Sequence, residues 1–255
     1  MEHNNQYKSV FLSDIHLGFN GCSVEKLEHF MDSMSCDNLF LVGDIVDLWA
    51  MKDKFYWPSS HQKMLQKFIN LKNKGVNVFF ITGNHDDPAR SKAEFEDLKK
   101  DERFTKICTD LENFEFIDTY DYETINHGKI LVIHGDQYDV VTSNAKWISK
   151  FGGFLYDLLI KINRPISKKL KSLTKNIVNK ASSFEKNVKK DCLEKSYDGL
   201  MCGHIHKPEI VRFEEYLYLN TGDWVESCTA IVEHHDGRLE LVSNKDDQLI
   251  SISAA

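Results

Sequence analysis

Five short runs of apolar, β-branched and aromatic residues punctuate the chain: Val10-Phe11-Leu12, Leu39-Phe40-Leu41-Val42, Val76-Asn77-Val78-Phe79-Phe80-Ile81, Lys129-Ile130-Leu131-Val132-Ile133 and Leu200-Met201-Cys202. Runs this short, with few polar interruptions, have the pattern of strands covered on both faces. Between the first three, apolar positions recur at helical spacing from about Val24 to Met34 and from His61 to Lys74, and Gly75 closes the second segment in the place of a helix C-cap. The alternation predicts βαβαβ units, and so parallel strands joined by helical crossovers.

After Gly199 the periodicity changes. Tyr216-Leu217-Tyr218-Leu219, Thr229-Ala230-Ile231-Val232 and Leu239-Glu240-Leu241-Val242 read as further strands, separated by Gly222 and by the turn dipeptide Asp236-Gly237. They are expected to form a second sheet packed on the first. From about Asn144 to Lys195 the texture becomes a long, Lys-rich helical stretch broken at Gly152-Gly153 and at Pro165. The expected organisation is one α/β core, residues 1–143 with 196–255, carrying a helical insert over 144–195. A chain of 255 residues is long enough to bury one substantial core in this way.

Composition narrows the classes. Hydrophobic residues at 42% and charged residues at 28% match ordinary globular usage, which sets disorder and fibrous structure aside. Met1 to Lys8 lacks the charged-then-apolar pattern of a secretion signal, so export is not expected. No run reaches the roughly 18 uninterrupted apolar residues of a membrane span. The six cysteines are scattered without a C-x-x-C pair, which fits reduced thiols in a cytoplasm rather than a zinc knuckle or a disulfide framework. A formal charge of −7 argues against a general nucleic-acid binder, and no nucleic-acid partner is expected.

Immediately after each of the five buried runs stands a set of metal-type side chains: Ser13-Asp14-Ile15-His16, Gly43-Asp44-Ile45-Val46-Asp47, Gly83-Asn84-His85-Asp86, His134-Gly135-Asp136 and Gly203-His204-Ile205-His206. Ligands of open α/β sheets bind outside the carboxyl ends of the strands, so the five sets are expected to converge on one crevice. One Gly-Asp pair or one histidine alone is ordinary turn or surface chemistry. Five in succession are not, because turns do not call for histidine. Asp, His and Asn without cysteine suit two borderline-to-hard divalent ions, with manganese, iron, zinc and magnesium all chemically acceptable. Two ions about 3.5–4 Å apart need a shared anionic ligand, a part that the short side chain of Asp44, placed by the Gly43 turn, can take.

This ordered set resembles the calcineurin-like metallophosphoesterase superfamily, with every block present over residues 9 to 206 and the helical insert outside them. Within it, the length, the insert before Gly203-His204-Ile205-His206-Lys207-Pro208 and the late Gly222-Asp223-Trp224 make the chain most similar to the bacterial UDP-2,3-diacylglucosamine diphosphatase family. The resemblance implies a four-layer αββα sandwich with a helical lid. It also implies two metal sites, one of Asp14, His16, Asp44 and His206 and the other of Asp44, Asn84, His134 and His204, with manganese as the ion. His85 matches the position that contacts the reacting phosphate or protonates the leaving group, and Asp47 its orienting carboxylate. The implied reaction is attack of a metal-bridging hydroxide on phosphorus. Arg90, Asn144 and Lys207 stand near the expected crevice in sequence and are candidate phosphate contacts. Two positions depart from the diphosphatases: His85 stands where they commonly have Arg, and Tyr138-Asp139-Val140-Val141-Thr142 stands where they carry a Cys-Thr-Asp-Asp-like stretch.

Charge along the chain is segregated. Lys146 to Lys195 holds 13 Lys and Arg against 4 Asp and Glu, a net +9 that leaves −16 for the rest of the chain. The insert opens with an apolar, aromatic stretch from Trp147 to Ile162 edged by lysines, the composition of an interfacial amphipathic helix. Such a lid would hold acyl chains or touch an anionic membrane surface. The plainer reading packs the aromatics on the core and leaves the lysines solvated. The leading expectation is thus a cytoplasmic pyrophosphatase, peripheral on the inner membrane, acting on a phosphorylated or nucleotide-linked lipid. The alternatives are a soluble phosphodiesterase or phosphomonoesterase on nucleotides or phosphoproteins, and a non-catalytic binding scaffold on the same fold.

Overall fold

A computed structural model describes residues 5–138, 190, 192, 194–245 and 249–254. The first half alternates strands and helices: β1 (Asn5–Leu12), α1 (Val24–Asp32), β2 (Met34–Val42), α2 (Leu48–Met51), α3 (Ser59–Asn73), β3 (Asn77–Ile81), α4 (Asp87–Arg90), α5 (Lys92–Lys99), α6 (Thr105–Leu111) and β4 (Phe116–Ile117). Strands then dominate: β5 (Thr119–Glu123), β6 (Lys129–Ile133), β7 (Gly199–Cys202), β8 (Glu209–Arg212), β9 (Leu217–Asn220), β10 (Thr229–Glu233), β11 (Leu239–Ser243) and β12 (Ile250–Ala254).

The two helices expected from the sequence form as α1 and α3, because their apolar positions share one face, although α1 stops at Asp32 and Met34 opens β2. In α1 the buried side chains are Val24, Leu27, Phe30 and Met31, and in α3 they include Met64, Leu65, Phe68 and Ile69. Gly75 ends α3 as expected, at φ +97°, with Val76 N donating to Leu71 O at 3.1 Å.

The strands make two sheets, ordered β12-β11-β10-β1-β2-β3-β4 and β5-β6-β7-β9-β8. In the first, β1 to β4 run parallel, and β10, β11 and β12 extend the sheet beyond β1, each antiparallel to the strand before it in the sheet. In the second, β6, β7 and β9 run parallel. Alternation along the central strands sends Val10, Leu12, Leu39, Leu41 and Phe80 into the core shared with the helices. Phe11, Phe40, Val42 and Ile81 face Ile130, Val132, Met201 and Leu219 of the other sheet. Phe11 pairs with Phe40 and Phe40 with Phe79, so their rings stack at centroid distances of 4.7 and 4.6 Å along the face between the sheets.

The partition of strands differs from the expected one. Thr229–Glu233 and Leu239–Ser243 join the first sheet, whereas Lys129–Ile133 and Gly199–Cys202 belong to the second. A strand buried on both faces carries no mark of which sheet pairs with it, so chain order misled. The second sheet buries Leu131, Ile133, Leu200, Cys202 and Tyr218 on its outer face. The expected 144–195 insert falls almost wholly outside the described residues, as does Asn144. Among the described residues no helix is long and apolar enough to cross a membrane. All six cysteines are buried and none is in a disulfide.

Candidate metal centre

Five loops follow the carboxyl ends of β1, β2, β3, β6 and β7, three from one sheet and two from the other, and they meet at one edge of the sandwich. The backbone there is unusual. Asp14, His16, Asp44, His204 and His206 adopt φ of 49°, 55°, 53°, 67° and 51°, and the other non-glycine residues described in this region of φ are Ser196 and Cys228. Each such residue costs about 1–3 kcal/mol and persists only where its surroundings over-determine it. Here hydrogen bonds between loops do so. Asp14 N donates to Gly43 O at 3.0 Å, His16 N to Asp44 O at 2.9 Å, and Trp224 N to Asp14 O at 3.0 Å. His204 N donates to Asp14 Oδ2 at 3.0 Å, across the two sheets.

Close approach of these loops depends on glycine at Gly43. It sits at φ +79°, and a Cβ there would overlap the ring of His134. Asp86, buried, accepts N–H groups from Val46 at 2.9 Å, Gly83 at 3.0 Å and Ile45 at 3.2 Å, which ties the loop after β2 to the loop after β3. Burial, followed by the negative charge of Asp44, pushes its carboxyl up to about 7 against those three donors. The Gly83-Asn84-His85-Asp86 block held this residue in plain view, but nothing in the sequence revealed whom it would hold.

The side chains gather into two groups whose ligand atoms lie within 4.8 Å of one another, Asp14 with His16 and His206, and Asp44 with His134 and His204. In the first, Asp14 Oδ1 lies 3.0 Å from His206 Nε2 and 3.9 Å from His16 Nε2. In the second, Asp44 Oδ1 lies 3.4 Å from His134 Nε2. The other oxygen of Asp44 turns to the first group, 4.0 Å from His16 Nε2. A third cluster, His16, Asp47 and His85, is of another kind. One oxygen of Asp47 lies 2.7 Å from His16 Nδ1 and 2.6 Å from His85 Nδ1, distances that leave no room for an ion between them.

Two buried atoms fit a cation directly. Asn84 Oδ1 and His134 Nε2 have no hydrogen-bond partner among the described residues, a loss of roughly 1–3 kcal/mol for each polar group left in that state. His134 Nδ1 lies 2.9 Å from Val42 O, and a hydrogen bond donated there leaves Nε2 as the ligand atom. Oxygen and imidazole donors without sulfur are a set for divalent ions.

The electrostatics agree. Burial disfavours their ionised forms, yet His206 and His134 hold Asp14 below the usual carboxylate range, and His134 and His85 hold Asp44 well below it. Burial likewise opposes a charged His134, but the Asp44 carboxylate lifts it to about 10, so a proton and a cation compete for Nε2. Burial resists charge on His85 as well, and Asp44 and Asp47 raise it to about 9. Asp47, opposed by burial, is lowered to about 2 by His16 and His85.

The structure brings Asp14, His16, Asp44, Asp47, Asn84, His85, His134, His204 and His206 together. The open cleft above them has Phe19 and Val225 on its rim, neither of which the sequence singled out. Arg90 lies beside this region in a bidentate pair with Asp136, at 2.8 and 3.1 Å. Lys207 is exposed and pairs with Glu209 at 2.8 Å.

A family model described as calcineurin-like phosphoesterase matches residues 7–208. A UDP-2,3-diacylglucosamine hydrolase of Histophilus somni is 25% identical over 88% of this chain and 95% of its own length. One of Vibrio parahaemolyticus is 28% identical over 90% of this chain and 95% of its own. Among solved structures, the phosphoesterase YfcE of E. coli superposes with a TM-score of 0.50 at 15% identity, covering 97% of both chains. A single mutant of Vps29 from Entamoeba histolytica gives 0.50 at 10% identity, again over 97% of both. These structural likenesses concern the fold alone.

Proposed function

The chain belongs to the calcineurin-like phosphoesterase family and is a metal-dependent phosphoester hydrolase; within that class we propose a dinuclear enzyme that cleaves the pyrophosphate of a nucleotide-linked lipid such as UDP-2,3-diacylglucosamine. The observation that carries the dinuclear part is Asp44, whose two carboxylate oxygens face two separate ligand groups. Asp14, His16, Asp44 and His206 would hold one ion, and Asp44, Asn84, His134 and His204 the other. Manganese is the ion we assign, by the resemblance. A bound pair of divalent ions supplies positive charge for the phosphoryl oxygens and an activated water.

The protein's own part is positioning and proton supply. Asp47 sits at Nδ1 of both His16 and His85, which aims His16 Nε2 at the first ligand group and leaves Nε2 of His85 to the cleft. Asp47 Oδ1, 2.6 Å from its Nδ1, favours the charged form of His85, the form that can give a proton to the leaving phosphate. A phosphoanhydride expels a weakly basic phosphate, so charge on its non-bridging oxygens is the first requirement, and an imidazolium at the cleft contributes to it before any proton moves.

The lipid substrate rests on relatives that align over nearly their whole length. A cytoplasmic enzyme docked on the inner membrane through the basic 144–195 insert accords with that substrate. The test is hydrolysis by metal-free protein reconstituted with manganese, given UDP-2,3-diacylglucosamine in detergent beside a simple aryl phosphodiester, with Asp44→Ala as control. Strong preference for the lipid is expected. Activity on the simple ester alone would discard the lipid and favour a soluble phosphodiesterase, and failure to take up metal would leave a binding scaffold.

A further inference from the structure

Arg90 spans the two sheets. Its Nε donates to Thr82 Oγ1 at 3.0 Å and its Nη2 to Thr82 O at 2.8 Å, at the end of β3. The same guanidinium donates from Nη1 to Asp136 Oδ2 at 2.8 Å and from Nη2 to Asp136 Oδ1 at 3.1 Å, in the loop after β6. Thr82 is two residues before Asn84, and Asp136 is two residues after His134. The side chain therefore grips the two loops, one from each sheet, that carry Asn84 and His134.

Strands of different sheets share no backbone ladder, so packing alone does not fix the separation of those loops. A planar fork with fixed donor directions does. The guanidinium has little left for a substrate. Four of its hydrogen bonds go to Thr82 and Asp136, and Asp118 and Asp87 stand 3.5 and 3.8 Å away, so its charge is already met by carboxylates.

We propose that Arg90 and Asp136 are a positioning pair that sets the spacing of Asn84 and His134, and so the affinity for the ion assigned to Asp44, Asn84, His134 and His204. This rests on the dinuclear reading above. Asn84 Oδ1 and His134 Nε2 are buried atoms without a hydrogen-bond partner among the described residues, and the pair holds the backbone beside each of them.

The experiment uses the full chain with manganese and compares the wild type with Arg90→Lys, Arg90→Ala, Asp136→Asn and the Arg90→Ala/Asp136→Asn double variant. Calorimetric titration counts the ions, and electron paramagnetic resonance reads the spin coupling of a manganese pair. The wild type is expected to bind two ions with a coupled signal. Each single variant should keep one ion and weaken the other by about 10-fold or more, losing the coupled signal where the wild type is saturated. Lysine should not rescue, because the need is for the fork rather than the charge. The double variant should be no worse than the worse single, since the two side chains act as one unit. Near-ultraviolet circular dichroism checks folding, and Asp136→Asn gives the same readout if Arg90→Ala fails to fold. Variants that keep both ions and the coupled signal while KM rises would overturn the pair and make Arg90 a substrate contact. A wild type that binds fewer than two ions would overturn the dinuclear reading with it.

Discussion

Asp44 Oδ1 stands 3.4 Å from Nε2 of His134, a histidine that reaches it from the opposite sheet. The centre is thus assembled by sheet packing: no single βαβ unit contains both residues. The stacked rings of Phe11, Phe40 and Phe79 between the sheets hold at a distance the geometry that Asp44 and His134 display locally. Because the second oxygen of Asp44 turns toward His16, one carboxylate is common to both ligand groups.

Removing that charge while keeping the shape should therefore disturb both groups at once. Asp44→Asn is expected to lower kcat/KM by more than about 100-fold and to reduce bound manganese below two per chain. Elemental analysis beside steady-state kinetics checks it, and a variant that retains two ions would refute the shared-ligand role.

Two glycines with left-handed backbones separate conformational strain from collision. Gly75, at φ +97°, has nothing within 4 Å of the place a Cβ would take, so Gly75→Ala should cost only the backbone strain of about 1–2 kcal/mol. Gly43, at φ +79°, faces the His134 ring, so Gly43→Ala should cost clearly more and weaken metal binding too. Urea unfolding of the two variants gives the comparison. Equal losses would mean that the His134 ring moves aside freely.

His85 and Asp47 should divide cleanly. His85→Asn removes a proton donor that belongs to neither ligand group, so kcat should fall by about 10²–10⁴-fold with metal content unchanged. Asp47→Asn also loosens His16, whose Nδ1 it meets at 2.7 Å, so metal affinity should fall with kcat. Metal titration of both variants decides. Loss of metal in His85→Asn would make that histidine a ligand.

The sequence disclosed the centre more fully than the fold, for a physical reason. A cation site of the proposed kind demands particular side chains, so Asp14, His16, Asp44, Asn84, His134, His204 and His206, which the fold gathers at one edge, stand out in the sequence whatever surrounds them. The central strands were legible because both faces are covered. Thr119–Glu123 and Glu209–Arg212 were not, being edge strands of the second sheet in which charged residues such as Asp121, Glu123 and Arg212 interrupt the few that pack between the sheets, Tyr120, Tyr122 and Ile210. Left-handed φ at Asp14 and His16 was not legible either: Asp and His tolerate it, but inter-loop hydrogen bonds of their backbones impose it. Arg90 shows the same limit. Its place near the crevice was readable, but its bond to Asp136, 46 residues away, was not.

The loop that follows His16 supplies a test by pH. Gly18 N donates to His61 Nδ1 at 2.8 Å, so this buried histidine must be unprotonated at Nδ1 to accept. Burial lowers its pKa below the ordinary value, against the opposing pull of Glu25 and Asp47. A histidine in the unfolded chain takes its proton near pH 6.5, while the folded one resists. Below that pH the unfolded state binds more protons, so this contribution to stability is complete above about 6.5 and is lost as pH falls through the depressed folded value. The slope it adds cannot exceed about 1.4 kcal/mol per pH unit, the limit for one proton. Asparagine at this position offers an acceptor oxygen that does not titrate. His61→Asn should therefore show a shallower fall in urea midpoint between pH 7.5 and 5.5 than the wild type, whatever the metal ligands contribute to both. Equal slopes would mean that His61 can turn another nitrogen to Gly18 or release it, and that the loop carrying His16 and Phe19 is held by something else.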